Sequence, residues 1–403
     1  MDELHVPAVS VAVVEEGDVA ATRAWGTTPK TVFQAASISK PVTAMGALRL
    51  ASDGVLDLDA SVNAQLTSWQ IPDGDDVSVR HVLCHGAGLS VHGFAGYEAG
   101  DDVPTLEQIL DGARPANSEA VRVVRPPGEA FQYSGGGFTV LQVLMQDVTQ
   151  RPFAELIDDL VLHPLGMRSS TFVQPLPLER EAQAAIGHDG LGAPIPGRWR
   201  THPEQAAAGL WTHPADLART ACEMIGPGRV LDADSCDEML SPQVDAERGL
   251  GWMLAGDGWF GHGGSNIGFT CNLTATSGTG HGVVVMTNSD AAMLTLLPEV
   301  VATVAEAYGW DGYLRERAAV DLERSVLERV AGDYEVFDGF AVSIKLDGVR
   351  LLSSAPSIPE GELFASSESE FFRADLDATI TCSGDELTVE MSGMRLVGRR
   401  RAN

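Results

Sequence analysis

The chain places strand-type sequence on both sides of a long helical block, and this arrangement restricts its fold more than any other feature. Near the N-terminus, "VPAVSVAVVEEGDVAATRAWG" holds two β-branched apolar runs around a turn at Glu16-Gly17-Asp18, the pattern of two strands. From Gly249 the strand texture returns in "GLGWMLAG", "GWFGHGG", "GFTCNLTATSG" and "GHGVVVMTNS", runs separated by Gly-rich turns. Between these stretches, apolar residues recur at three- and four-residue spacing in "TLEQILDGA", "GGFTVLQVLMQDVTQ" and "PFAELIDDLVLHPLGM", which predicts helices. Residues 174–203 are rich in Pro and Gly and read as a long surface loop; "HPADLARTACEMI" reads as a short helix with Asp216 in its first turn. "LLPEVVATVAEAYG" reads as a helix packing back on the sheet. The order strands, helices, strands predicts an α+β domain whose sheet is assembled from discontinuous segments.

A second region follows. "DGYLRERAAVDLERSVLERV" reads as a helical connection from Asp311 to Glu328, and beyond it short β-type runs alternate with turns to the C-terminus. That spacing predicts a small all-β barrel or sandwich of roughly 75 residues. The expected organisation is therefore a catalytic-sized domain over residues 1–315, a linker over 316–328 and a β domain over 329–403.

Composition narrows the partners. With 27 basic against 56 acidic residues the formal net charge is −29, which repels nucleic acid and anionic lipid and argues against either as a partner. Five scattered cysteines without a CxxC read as free thiols of a reducing compartment. The N-terminal segment lacks a basic region followed by an apolar stretch, and no run of about 18 apolar residues occurs. The expected location is cytoplasmic.

The chain uses lysine three times, at Lys30, Lys40 and Lys345, and Lys40 follows Ser37 by three residues in "FQAASISKPVTA". A helix from Ser37, with that serine as N-cap, Pro41 in the first turn and Gly54 past the last, sets both side chains on one face. A serine hydroxyl becomes a nucleophile when a neighbouring base takes its proton, and a lysine kept neutral by burial can serve. Tyr133, in "PPGEAFQYSGGGF", stands before a Gly-rich bend from which a phenol could relay protons. In "FGHGGSNIGF", Gly263 and Gly264 allow close approach to a substrate, His262 is a polar group on the same strand, and the N–H groups of Ser265 and Ser37 could form an oxyanion hole. His81 and His85 stand four apart like a helical zinc pair but lack the accompanying Glu, and "DGDD" at 73–76 reads as a solvated turn rather than a calcium loop. No metal or cofactor is expected.

These segments, in this order, resemble the serine β-lactamase and penicillin-binding-protein superfamily, in its branch of class C β-lactamases, DD-peptidases, D-aminopeptidases and family VIII esterases. S-x-x-K at Ser37–Lys40, "YSG" at Tyr133–Gly135 and "HGG" at His262–Gly264 carry the resemblance, supported by "HVLCHGAGLS", "LHPLGM" and "AAAGLWTHPADLAR". It covers roughly residues 4–310; the C-terminal segment resembles, more weakly, a lipocalin-like domain appended in the same branch. The resemblance implies an antiparallel sheet flanked by helices. It also implies Ser37 as acylated nucleophile, Lys40 as its base or the group that tunes it, Tyr133 as proton relay and His262 as orienting that network or the substrate, with Gly135, Gly263 and Gly264 lining the site. The implied partner is a small-molecule or peptide acyl donor, cleaved as an ester or amide. Acyl transfer to an internal amine, as in a peptide cyclase, or ligand trapping by a penicillin-binding sensor are the alternatives. Many relatives carry Tyr-x-Asn at the second motif. Gly135 replaces that Asn here and shifts weight away from β-lactams and strict peptide recognition.

Overall fold

Strands β1 (Val9–Glu15) and β2 (Asp18–Trp25) pair antiparallel as the N-terminal sequence predicts. Their two-residue connection puts Glu16 at φ 52° and Gly17 at φ 78°, the positive-φ pair that matches strand twist in a tight hairpin. A computed structural model describes residues 1, 4–293, 295–310, 319–337, 340–356, 358–373, 378–391 and 394–401, which fall into two compact units, Met1–Ala292 and Met293–Asn403.

In the first unit the other edge of β1 pairs with β8 (Gly282–Thr287), Val9 opposite Thr287 and Val13 opposite Val283. Between the hairpin and β8 in sequence come β3 (Phe33–Gln34) and β4 (Trp211–Thr212), which pair with each other, and β5 (Met253–Leu254), β6 (Trp259–Asn266) and β7 (Phe269–Thr276). The main sheet has the order β2-β1-β8-β7-β6-β5, antiparallel throughout. Six of the seven residues of β1, and all of β8, are buried, the signature of central strands covered on both faces. The Pro214–Ile225 helix packs on β1, β2 and β8, started by Pro214 at its first position and by His213 Nδ1, which accepts from Asp216 N.

The helical block forms largely where the periodicity predicts it. Thr105 and Gln108 close a capping box on the Leu106–Asp111 helix, and the Ser134 hydroxyl caps Gly137 N at the start of the Gly135–Thr149 helix. The helix that carries Lys40 runs from Ser39 to Ser52, not from Ser37. Ser37 is no N-cap: it lies in a preceding 3₁₀ turn, Ala36–Ile38, and Ile38 occupies the cap position without a side-chain cap bond. The reason is the engagement of the Ser37 hydroxyl with Lys40, described below. Gly46 lets this helix approach Ile157, whose Cδ1 would lie 2.6 Å from an added Cβ.

In the second unit, Leu296–Tyr308 is helical as predicted. Residues 311–318, the first part of the expected helical connection and the start of the 316–328 linker, lie outside the described residues; helix resumes at Arg324–Val330. Eight antiparallel strands, β9 (Gly332–Phe337) to β16 (Met394–Arg400), then form a closed barrel in sequence order, with β9 pairing both β10 (Phe340–Asp347) and β16. Closure removes the exposed strand edges that a small sandwich would leave. Leu327 and Val330 of the preceding helix join Tyr334, Ile344, Phe371 and Leu387 in its core. Among the described residues no helix is long and apolar enough to cross a membrane.

Candidate active site

The Ala36–Ile38 turn is held from three sides. Ala35 N donates to Leu210 O at 2.8 Å, Ile38 N donates to Ala35 O at 2.9 Å, and the Cys271 thiol approaches Ala35 O at 3.2 Å. Ala36 takes φ 47°, a left-handed conformation that costs a non-glycine residue about 1 kcal/mol or more and persists only where surroundings fix it. The segment Gln205–Leu210 supplies further clamps: Thr43 Oγ1 reaches Ala206 O at 3.2 Å, and Ser39 Oγ accepts from Leu210 N at 3.0 Å.

Lys40 is 2 % exposed. Its Nζ lies 2.9 Å from Ser37 Oγ and donates to Ala207 O at 2.8 Å. Burial without a carboxylate partner lowers its pKa from the ordinary 10.5 to about 7. The neutral amine is therefore well populated near pH 7. With one N–H committed to Ala207 O, its lone pair is free to receive the Ser37 proton.

Tyr133 closes the third side. Its ring centroid is 5.0 Å from Lys40 Nζ and its hydroxyl shares a hydrogen bond with Ser37. Burial raises the phenol above its ordinary pKa, with the Ser37 bond opposing the rise, so it is a neutral proton donor near neutral pH. Beneath it, His85 stacks at 4.2 Å between centroids, with φ 59° and Nδ1 accepting from Ser134 N at 3.1 Å. That bond fixes the neutral tautomer with hydrogen on Nε2, and burial holds the imidazole pKa well below its usual value, Lys40 adding to the effect.

His262 is buried on β6, 6.2 Å from Tyr133 between centroids. Its Nδ1 donates to Gly263 O at 2.6 Å, leaving Nε2 as a buried acceptor without a protein partner among the described residues. Burial first, then the Lys40 charge, lower its pKa to about 3; it is a neutral acceptor. Asn266 on the same strand donates to Gln34 Oε1 at 2.9 Å and to Ala208 O at 3.2 Å, tying β6 to the strand that enters the Ala36–Ile38 turn.

The predicted residues thus converge, with differences in detail. Gly263 and Ser265 are exposed on β6 beside the site. Gly264 is buried, and an added Cβ would stand 2.4 Å from Ala35 O and 2.6 Å from Cys271 Sγ, so it backs the Ala36–Ile38 turn. Gly135, expected to line the site, is covered: Gly135 N donates to His92 O at 3.0 Å, and an added Cβ would meet Phe94 at 3.2 Å. The His92 ring lies 4.7 Å from that of Tyr133 between centroids, tilted by 39°. His81 and His85 do not pair. The His81 ring accepts from Ser78 N at 3.3 Å in a capping box of the Val79–Leu83 helix, while His85 turns away beneath Tyr133. The reading of sequence missed His85, His92 and the Ala207 carbonyl. His85 had a signal, since "HVLCHGAGLS" carries a glycine after it and a buried apolar run before it.

His85→Leu is expected to destabilise the first unit by about 1–3 kcal/mol, because it orphans Ser134 N–H. Urea unfolding measures this; an unchanged midpoint and slope would remove His85 from the support of Tyr133.

A serine hydroxyl against a buried lysine, with a tyrosine across from it and a glycine-bearing strand beside it, is the arrangement of penicillin-recognising serine enzymes. The chain belongs to the beta-lactamase family, whose sequence model matches residues 1–306. Among curated proteins, esterase EstB of Burkholderia gladioli is 33% identical over 178 residues, covering 41% of this chain and 44% of that protein. Protein flp of Staphylococcus aureus (strain MW2) is 21% identical over 333 residues, covering 74% of this chain and 63% of its own length. The chain therefore spans less than two thirds of either relative. Among solved structures, the octameric penicillin-binding protein homologue from Pyrococcus abyssi superposes with a TM-score of 0.67 at 23% identity, over 98% of this chain and 97% of that one. The D-amino acid amidase from Ochrobactrum anthropi SV3 superposes with a TM-score of 0.60 at 24% identity, over 70% and 86%. At these identities the likeness is one of fold.

Proposed function

We propose that the protein is a serine hydrolase that cleaves an ester or amide through an acyl-enzyme on Ser37. The observation that carries this reading is the desolvated Lys40 amine 2.9 Å from the Ser37 hydroxyl. Ser37 Oγ attacks the carbonyl carbon as its proton passes to Lys40 Nζ. The oxyanion is held by the N–H groups of Ser37 and Ser265. Tyr133 gives its proton to the leaving oxygen or nitrogen and regains one from Lys40, and water resolves the acyl-enzyme by the reverse path. His262 Nε2 orients the tyrosine hydroxyl or a substrate donor. The esterase and amidase names among the relatives fit this chemistry. The covering of Gly135 by Phe94 and His92 favours acyl donors that need no side-chain amide contact at that position.

Intact-protein mass spectrometry after exposure to p-nitrophenyl esters, D-amino-acid amides and a chromogenic cephalosporin tests the reading. An adduct mapped to Ser37 is expected, with ester turnover lost in Ser37→Ala by on the order of 10⁴-fold or more. Turnover that survives Ser37→Ala would sink it.

A further inference from the structure

Glu204 is 0 % exposed, and neither of its carboxyl oxygens has a hydrogen-bond partner among the described residues. The other buried acids are provided for. Glu223 Oε1 accepts from the four backbone N–H groups of Gly228 to Leu231, and Asp216 Oδ2 accepts from Ser169 N and Ser170 Oγ. A carboxylate buried without a donor is strongly disfavoured, so Glu204 is held as the neutral acid. Burial pushes its pKa up to about 8.

The residue stands at a corner of the chain. Its φ of −72° and ψ of 60°, with Gln205 N donating to Pro203 O at 2.8 Å, make an inverse γ-turn. Before the corner, Tyr97 and Thr201 exchange backbone bonds of 2.9 and 2.8 Å, and an added Cβ on Gly96 would stand 2.7 Å from the His202 ring. After it comes the short helix Gln205–Ala208, where Ala206 O receives Thr43 Oγ1 and Ala207 O receives Lys40 Nζ. The Glu204 carbonyl accepts from Ala207 N at 3.1 Å and from Ala208 N at 3.0 Å. The Gln142 amide straddles the corner, donating to Pro203 O at 3.1 Å and accepting from Ala206 N at 3.0 Å. The backbone on both sides of Glu204 is thus fixed, while its side chain has no polar anchor. The ionisable groups around the corner offer an ionised Glu204 little relief. Glu98 pairs with Arg200 at 2.6 Å, and the Tyr97 hydroxyl accepts from Asn117 N at 3.2 Å. His202 is a buried neutral imidazole, and Lys40 is bound to Ala207 O and Ser37. On the two other helices that pack on the turn, Asp147 is held by Thr67 and Ser68 N–H groups and Glu155 is exposed.

We propose that Glu204 is a positioning residue for Lys40: its un-ionised carboxyl keeps the Ala207 carbonyl on the amine, and its ionisation releases that carbonyl. The proposal rests on the acyl-enzyme reading above, in which Lys40 receives the Ser37 proton. A carboxylate at the corner must take up water or swing to find donors. Either movement turns the γ-turn, and the helix whose first N–H bonds end on the Glu204 carbonyl turns with it. Ala207 O then no longer fixes one N–H of Lys40, and the amine loses the orientation that points its lone pair at Ser37 Oγ. That loss lowers kcat and leaves KM nearly alone, because Lys40 acts in the chemical step.

The test is the pH dependence of kcat and KM for a short-chain p-nitrophenyl ester, with Ser37→Ala as the blank. Wild-type kcat is expected to rise through pH 7 and then to fall, reversibly, by roughly 10–50-fold between pH 8 and 10, with KM moving less than about threefold. Glu204→Gln, similar in shape and unable to ionise, should keep the rise and hold kcat from pH 8 to 10 within about twofold. Glu204→Leu serves the same end should the glutamine variant not fold. Stability supplies a second readout. Between the ordinary 4.5 and about 8 the folded chain keeps a proton that the unfolded chain has released, so wild-type stability is lost as pH rises through that window. The Tm of either variant relative to wild type should therefore climb from pH 5 to 8 and level off above. A wild-type kcat flat from pH 8 to 10 overturns the proposal whatever the variants do. So does an alkaline fall that persists in either variant, a fall confined to KM, or a Tm difference that stays constant from pH 5 to 8. Turnover that survives Ser37→Ala brings down the acyl-enzyme reading, and this inference with it. Should the wild type turn over no ester, the rate of Ser37 labelling by a neutral phosphonate over the same pH range supplies the same profile; absence of any adduct on Ser37 has the same force as surviving turnover.

Discussion

Lys40→Met is expected to raise the thermal unfolding midpoint of the protein while abolishing most of its activity. The folded-state pKa of about 7 lies below the ordinary 10.5. Between those values the unfolded chain holds a proton that the folded chain has released, so stability rises with pH across that window. The shift corresponds to a folding cost of about 5 kcal/mol, felt in full below pH 7 and gone above about 10.5. Methionine fills a similar volume with no ionisable group. Against the relief stands the orphaned Ala207 carbonyl, worth about 1–3 kcal/mol, so a net gain of about 2 kcal/mol and a few degrees in Tm is expected near pH 7. The gain should shrink as pH rises towards 10. Activity should fall on the order of 10⁴-fold, and in the wild type kcat/KM should climb through pH 7 as Lys40 loses its proton. No alkaline fall is expected from Tyr133 below pH 10, because burial holds the phenol protonated. Differential scanning calorimetry over pH 6–10 with paired kinetics checks both halves. A mutant less stable than wild type at pH 6 would contradict the neutral-lysine account.

The second large effect is expected at Gly264. Gly264→Ala pushes a methyl to 2.4 Å from a backbone oxygen and 2.6 Å from a buried sulfur, neither the loose end of a flexible side chain. Relief requires β6 to retreat from the Ala36–Ile38 turn. In the proposed mechanism Ser265 and Ser37 then no longer present their N–H groups at one oxyanion, and a displacement near 1 Å costs about 10²-fold in rate. Overpacking adds roughly 1–3 kcal/mol of destabilisation. Gly263→Ala is the contrast: its added Cβ meets nothing nearer than Cys271 O at 4.0 Å, and its loss should stay under about tenfold. Equal losses at the two glycines would argue that strand substitution itself, not contact with the turn, is responsible. Cys271→Ala should not rescue Gly264→Ala, since the Ala35 carbonyl remains.

The difference between legible and illegible features follows from physical range. The hairpin, the central helices and the β8 run depend on local periodicity, and sequence periodicity predicts them. Ser37 and Lys40 meet because three residues of helical chain bring them together. Ala207 O and His85 join the site through contacts with sequence neighbours of no special character. A carbonyl has no side chain to announce it, and a histidine that accepts one backbone N–H looks like any other histidine. The N-cap expected at Ser37 falls instead at Ile38, because the Ser37 hydroxyl can meet either a helix end or Lys40 and local sequence does not rank the two.

Pairing β1 with β8 has a consequence for synthesis on the ribosome. Val9 emerges roughly 270 residues before the strand that covers its open side, an interval of about 15–55 s at ordinary elongation rates. During that time a strand buried along nearly its whole length in the finished sheet has one neighbour, β2, and presents its other edge unpaired. Ser37 and Lys40 are already made, but β6, which brings Ser265 and His262, is not. The nascent chain therefore passes through an aggregation-exposed and catalytically silent stage, and its yield in cells should depend on holdase chaperones more than its final stability suggests.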